Sequence, residues 1–107
     1  DGYALRVPTP TVSVVDFAAI LEREATADAI NTSLRDAANS ELKGILGIND
    51  DPLVSSDFIG DPRSAVLDPE FTGVRQGNLA KVMAWYDNEW GYSCRVADLA
   101  ARMGQFR

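Results

Sequence analysis

Residues 72–86 carry the signature of a β-hairpin, which restricts the chain to folds that contain antiparallel sheet. Gly77-Asn78 supplies the tight turn between its two strands. Beyond the turn, side chains alternate between two faces, one with Leu79, Lys81, Met83 and Trp85, the other with Ala80, Val82 and Ala84. A period of two residues is typical of a strand. The pattern therefore predicts an antiparallel framework.

A second long strand is predicted over residues 11–21, a run rich in β-branched and aromatic residues. The adjacent Val14 and Val15 interrupt its alternation, so we expect either a β-bulge or burial of both faces. Pro8 and Pro10 predict an extended approach to this strand, because each proline fixes its own φ and restricts the residue before it.

Two segments show the helical period. In the first, Thr26 is the expected N-cap and Asp28 is favourable in the first turn. Its periodic residues are Ala27, Ile30, Leu34, Ala37 and Ala38. The second helix is predicted to begin near Asn88 and to stop at Gly104. Its periodic residues are Tyr92, Val96, Leu99, Ala100 and Met103.

Three short strand candidates, at 44–48, 53–56 and 64–67, lie between the first helix and the hairpin. Turn clusters rich in Asn, Asp, Gly and Pro separate them. No repeat or low-complexity linker divides the chain, so residues 1–107 are expected to form one unit. Several strands with few helices predict an α+β fold, a mixed, largely antiparallel sheet covered by helices, with a long C-terminal helix.

Two features of the composition limit the chemistry. There is no histidine, so the commonest general base and transition-metal ligand is missing. The single cysteine, Cys94, excludes an internal disulfide and favours a reducing compartment, the cytoplasm or a plastid. Five acids do not fit a calcium-loop spacing and are predicted to be solvated turn residues: Asp50, Asp51, Asp57, Asp61 and Asp68. No metal is expected.

The charge balance limits the partners. The formal net charge is −6 and no basic patch stands out, so no nucleic acid is expected. No apolar run of about 18 residues indicates a membrane span. Neither a G-x-G-x-x-G nor a G-x-x-x-x-G-K-[ST] motif is present, so no glycine loop is predicted to cradle phosphates.

Two places can bind ligands. Arg6 precedes the stretch stiffened by prolines, and a rigidly held guanidinium suits bidentate binding of phosphate or carboxylate. Alternatively, Arg6 is an ordinary surface arginine.

In the polar and aromatic cluster at 85–92, the amide of Asn88 can bind a planar amide-bearing ligand. Alternatively, Asp87 or Asn88 caps the last helix and the aromatic residues form core. Cys94 has no adjacent histidine or lysine, which favours a small core residue over a nucleophile.

Five separated blocks occur in the same order and at the same spacing in phosphorylating glyceraldehyde-3-phosphate dehydrogenases. They are Arg6-Val-Pro-Thr-Pro10, Ser13-Val-Val-Asp16, Leu42-Lys-Gly-Ile-Leu-Gly47, Pro52-Leu-Val-Ser-Ser-Asp57 and Trp85-Tyr-Asp-Asn-Glu-Trp-Gly-Tyr-Ser93. The chain resembles that family over essentially all 107 residues, which correspond to the last third of the family's chain. Thr11 departs from the family's usual asparagine.

The resemblance implies that residues 1–107 are the C-terminal portion of the catalytic domain, with the N-terminal dinucleotide-binding domain absent. It implies that Arg6 binds substrate or inorganic phosphate, that Asn88 hydrogen-bonds the nicotinamide carboxamide, and that Tyr92 lies near the same ring. The cofactor implied is NAD or NADP. The family is a homotetramer, and a missing domain is the other partner implied.

The reaction implied is the oxidation of D-glyceraldehyde 3-phosphate, with phosphate, to 1,3-bisphosphoglycerate in glycolysis or a related carbohydrate pathway. The family's cysteine nucleophile motif and catalytic histidine are not in this sequence, so no catalytic residue is assigned and the isolated chain is expected to be inactive. Two alternatives are a fragment of erythrose-4-phosphate dehydrogenase and a free-standing domain for binding or assembly. Apolar strands that lack their cover predict oligomers or aggregation of the isolated chain.

Overall fold

A computed structural model describes residues 1–106 and contains five strands and two α-helices. In chain order these are β1 (Ser13–Ile20), α1 (Ala27–Asn39), β2 (Leu46–Ile48), β3 (Ala65–Leu67), β4 (Gly73–Arg75), β5 (Leu79–Tyr86) and α2 (Trp90–Met103). Two short 3-10 helices lie at Ser55–Phe58 and Pro69–Phe71. Within residues 1–106, no helix is both long and apolar enough to cross a membrane.

Strand β5 is the centre of the sheet. Along one edge it pairs antiparallel with all of β1, from Ser13 opposite Tyr86 to Ile20 opposite Leu79. It also pairs antiparallel with β4 near its start and with β3 near its end. Strand β2 then joins β3 in parallel, which gives the order β1-β5-β3-β2. The predicted α+β fold with a mixed, largely antiparallel sheet and a C-terminal helix is confirmed.

The predicted hairpin is β4 and β5, but its turn begins one residue earlier than expected. Arg75 pairs with Leu79, so residues 76–78 form the connection. Gln76 and Gly77 adopt positive φ values of 52° and 80°, and a left-handed backbone at Gly77 carries no Cβ penalty. The side chain of Asn78 donates to the carbonyl of Leu21 at 3.3 Å, which ties the turn to the end of β1.

Strand β1 is present as predicted, but the β-bulge offered as one explanation for its adjacent valines is wrong. The register with β5 is unbroken, so there is no bulge. Val14 and Val15 are 45% and 42% exposed, so neither face is buried by the described residues. Both faces of β1 carry apolar side chains, and little within residues 1–106 packs over them.

Two local predictions have opposite outcomes. Thr26 caps α1 as expected, its side chain accepting from the backbone N–H of Ala29 at 3.1 Å. The strand predicted at 53–56 is wrong, because the carboxylate of Asp57 accepts from the Val54 N–H at 2.8 Å and the chain turns into a 3-10 helix. That turn delivers Phe58 to the interior.

The core is small and lies where β3 and β5 meet. Val12, Phe58 and Val66 are buried together, with Trp85 packed against them. The rings of Phe58 and Trp85 stack with centroids 5.6 Å apart and planes inclined by 8°. The helices contribute little to this core. The apolar residues of α2 are exposed: Tyr92, Val96, Leu99 and Met103.

Candidate functional site

The junction between β5 and α2 is built around the carboxylate of Asp87, which is only 4% exposed. Its Oδ1 accepts from the backbone N–H groups of Glu89 and Trp90, both at 2.9 Å. Its Oδ2 accepts from the N–H of Gly60 at 2.8 Å, and the hydroxyl of Thr11 donates to Oδ1 at 3.4 Å. Asp87 therefore caps α2 and also reaches two distant segments.

These donors keep Asp87 ionised. The N–H of Gly60 and then that of Trp90 lower the pKa of Asp87 below its usual value, and these effects outweigh its desolvation. Glu89 is the residue directly before α2, but its side chain makes no cap bond. The capping function predicted for this cluster is thus confirmed for Asp87, and the side chain of its neighbour Asn88 remains available for other contacts.

Asn88 lies at the exposed surface of the same junction. The hydroxyl of Ser13, at the start of β1, donates to the Asn88 Oδ1 at 3.2 Å. This contact uses one of the two acceptor positions of the amide oxygen, and within residues 1–106 no acceptor is bonded to the amide nitrogen. The side chain can therefore donate a hydrogen bond to a ligand.

Tyr92 lies in the first turn of α2 and is 72% exposed. The junction thus presents an amide and an aromatic side chain at the same end of the helix. Gly91 lies between Asn88 and Tyr92 in sequence. It is buried because the start of α2 packs closely on the loop that contains Asp61 and Arg63. A Cβ at Gly91 would lie 2.8 Å from the carbonyl oxygen of Arg63. Only glycine fits there without a shift of the backbone.

Arg63 is itself fixed in this loop. Its guanidinium forms a salt bridge with Asp61, which lowers the pKa of that carboxylate. A Cβ added at Gly47 would overlap the Arg63 guanidinium, so glycine at this position in β2 leaves room for it. Arg63 is therefore paired within the chain and is not an open anion site.

Arg6 lies in an exposed, irregular segment before β1. Within residues 1–106, its guanidinium forms no hydrogen bond and no salt bridge, and none connects it to Asn88 or Tyr92. The segment reaches the junction instead through Thr11, whose hydroxyl bonds Asp87. Val12 follows with φ 70°, a left-handed conformation that is rare for a β-branched residue.

The other candidate residues form no second site. Cys94 is half-buried in α2 as a free thiol. No group of three or more metal-ligating side chains comes together among residues 1–106. Ser13 and Gly60 are partners of the junction that no sequence pattern indicates, because their contacts span 75 and 27 positions of the chain.

Comparison with known proteins gives consistent matches. The family model described as the C-terminal domain of glyceraldehyde 3-phosphate dehydrogenase matches residues 1–88. A glyceraldehyde-3-phosphate dehydrogenase of Zymomonas mobilis is 51% identical over 106 residues, which cover 98% of this chain and 32% of that protein. One from Geobacillus stearothermophilus is 54% identical over 101 residues, covering 94% and 30%. One from Synechocystis is 54% identical over 100 residues, again covering 94% and 30%. The chain spans about a third of the length of these relatives.

Proposed function

The chain belongs to the glyceraldehyde-3-phosphate dehydrogenase family, and from this membership we propose that residues 1–107 form the C-terminal portion of the catalytic domain of such an enzyme. A dinucleotide-binding domain belongs to the rest of the protein in this proposal. What supports it is identity of about half the positions over nearly the whole chain to relatives three times as long.

The reaction we propose is the oxidation of D-glyceraldehyde 3-phosphate to 1,3-bisphosphoglycerate, with inorganic phosphate as the group acceptor. A cysteine thiolate would add to the aldehyde to give a thiohemiacetal, and a histidine would take the hydroxyl proton as the hydride leaves the same carbon. Phosphate would then displace the thiolate from the resulting thioester. Both groups lie outside these residues in this proposal, because the chain has no histidine and lacks the family's cysteine nucleophile motif. NAD or NADP, when bound, accepts the hydride.

Asn88 and Tyr92 are the residues that we assign to the nicotinamide. The observation that supports this assignment is the contact between Ser13 and Asn88, which leaves the amide nitrogen of Asn88 to donate to the carbonyl oxygen of a carboxamide. The exposed ring of Tyr92 in the next turn offers an apolar surface to a planar ring. These side chains bind and orient the cofactor and move no proton.

Arg6 is assigned to the phosphate of the substrate or to inorganic phosphate. Its guanidinium is exposed, and none of residues 1–106 neutralises it with a salt bridge. A planar guanidinium can donate two parallel hydrogen bonds to one phosphate, which an ammonium group cannot do.

Two substitutions in the complete enzyme test these assignments. R6K keeps the charge but loses the planar geometry, so we expect the KM for the phosphorylated aldehyde to rise about tenfold while the KM for the cofactor is unchanged.

N88A should lower kcat about tenfold or more with a smaller change in the substrate KM, since the nicotinamide loses its orientation. R23K and N39A are matched controls on exposed residues that no observation places near the junction.

The results can contradict each assignment separately. Unchanged constants in R6K would remove Arg6 from the phosphate site. A lower stability of N88A with unchanged kinetics would reduce Asn88 to a structural residue. Faster turnover of erythrose 4-phosphate than of glyceraldehyde 3-phosphate by the wild-type enzyme would favour the related erythrose-4-phosphate dehydrogenase.

We also propose that the complete enzyme is a homotetramer in the cytoplasm or another reducing compartment such as a plastid. The exposed apolar side chains of Phe17 and Ile20 on β1, 57% and 79% accessible, support an assembly that covers them. Light scattering of the complete protein should give four times the mass of one chain. A monodisperse monomer would contradict the tetramer.

A further inference from the structure

The carboxylate of Asp87 joins three segments that are far apart in the chain. Capping α2 requires only the bonds from Glu89 and Trp90, which are two and three residues away. The bonds from Gly60 and Thr11 span 27 and 76 positions. A helix cap does not need these distant partners, so the carboxylate has a second structural effect beyond capping.

The Thr11 bond bears on Arg6. Thr11 lies at the end of the irregular segment that carries Arg6, and Val12 follows it with φ 70°. A β-branched residue holds this conformation only when its surroundings impose it. Val12 is held by burial in the core beside Phe58, and Thr11 is held by Asp87. The Asp87 carboxylate therefore contacts the chain next to the point where residues 6–11 join β1.

The same carboxylate fixes the turn that carries Asn88. Its bonds to the N–H groups of Glu89 and Trp90 fix the backbone directly after Asn88. Ser13, two residues beyond Thr11, then holds the Asn88 amide. Both sides of the junction thus meet at one buried charge.

We propose that Asp87 is a positioning residue that acts through Thr11 to hold the Arg6 segment in a fixed relation to the turn that carries Asn88. One buried carboxylate then sets the placement of the anion contact and of the nicotinamide contact together. This inference rests on the proposed function, since it concerns how the assigned contacts are held. Asp87 itself touches neither substrate nor cofactor in this proposal.

Thr11→Val in the complete enzyme is the first test, because it removes the hydroxyl, nearly keeps the volume and leaves the cap intact. We expect the KM for glyceraldehyde 3-phosphate to rise about fivefold, the factor that corresponds to one net hydrogen bond, with kcat nearly unchanged. Thr11→Ser restores the donor and should return the KM close to the wild-type value. D57N, which alters an exposed aspartate that bonds only the N–H of Val54, is the control.

A double-mutant cycle separates positioning from a general loss of stability. If Thr11 acts through Arg6, T11V should add little to the substrate KM in the R6K background, whereas independent effects would multiply. D87N should raise the KM for substrate and the KM for cofactor together. T11V needs only a folded enzyme and keeps the test valid even if D87N fails to fold.

The possible results are distinct. An unchanged substrate KM in T11V, or effects of T11V and R6K that multiply fully, would overturn the inference while leaving the proposed function in place. Absence of NAD- or NADP-dependent oxidation of glyceraldehyde 3-phosphate by the wild-type enzyme would overturn the proposed function, and the inference with it.

Discussion

The junction around Asp87 and the strand β1 both border β5, yet the side chain at the centre of the junction is buried and those along β1 are exposed. At the junction, a carboxylate that is 4% exposed accepts four hydrogen bonds. Along β1, apolar side chains remain accessible on both faces, from 42% at Val15 to 79% at Ile20. One region is completed by residues of this chain, and the other is not.

The two regions are therefore stabilised by different interactions. Strand β1 is held mainly by backbone pairing, with eight residues opposite eight of β5, and by a salt bridge of Asp16 with Lys81 at 2.9 Å. Burial and hydrogen bonding hold the junction. Apolar patches of this kind are typical of surfaces that another domain or subunit covers. The contrast therefore predicts that substitutions at the junction are costly in the chain itself, whereas those on β1 matter only where something packs on them.

The largest expected effect comes from a matched pair of phenylalanines. F58A should lower the free energy of unfolding by about 3–5 kcal/mol, because Phe58 is 2% exposed and its removal leaves a cavity beside Trp85. F17A should cost less than about 1 kcal/mol, because that side chain is 57% exposed. Urea denaturation of the 107-residue chain measures both. Equal losses would contradict the contrast between the regions.

A pair of glycines sharpens the comparison at the backbone. G91A should lower the free energy of unfolding by about 1–2 kcal/mol, because a Cβ only 2.8 Å from the Arg63 carbonyl outweighs the gain in helix propensity. G73A in β4 meets no atom within 4 Å and should be neutral or stabilising by less than about 1 kcal/mol. Thermal unfolding of the two variants distinguishes them. A stable G91A would show that α2 can move off the loop.

The smallest effect is in the dependence of stability on pH. The pKa of Asp87 is lowered in the folded chain, so its contribution to stability is present above the ordinary aspartate value of 3.8 and is lost as the pH falls from there towards the folded pKa. D87N should flatten the stability profile in this acidic range. D50N removes an exposed carboxylate whose pKa is lowered by Arg35, and its profile should change less. Urea denaturation between pH 2 and about 6 measures both profiles. A larger change in D50N than in D87N would contradict the importance of the buried cap.

Local patterns predicted the local structure well. The hairpin, the Thr26 cap and the capping function of Asp87 depend on residues close together in sequence, and each is confirmed. The strand expected at 53–56 failed because the local bond between Asp57 and the Val54 N–H competes with extended structure. The bulge considered for the adjacent Val14 and Val15 is absent, because a strand that is apolar on both faces produces the same pattern without one.

The candidate site was less predictable. Arg6, Asn88 and Tyr92 came from family resemblance, and their roles stay predictions. The structure brings Asn88 and Tyr92 to the same end of α2, but no described contact joins either to Arg6. The bonds of Asn88 with Ser13 and of Asp87 with Thr11 cross most of the chain, and no local pattern encodes them.

A structure of the complete protein with its nicotinamide dinucleotide and inorganic phosphate bound is the most direct test of the site. We expect the side-chain nitrogen of Asn88 within hydrogen-bonding distance of the nicotinamide carboxamide, Tyr92 beside the same ring, and a phosphate on the guanidinium of Arg6. A nicotinamide that contacts neither Asn88 nor Tyr92, or a phosphate held without Arg6, would contradict it.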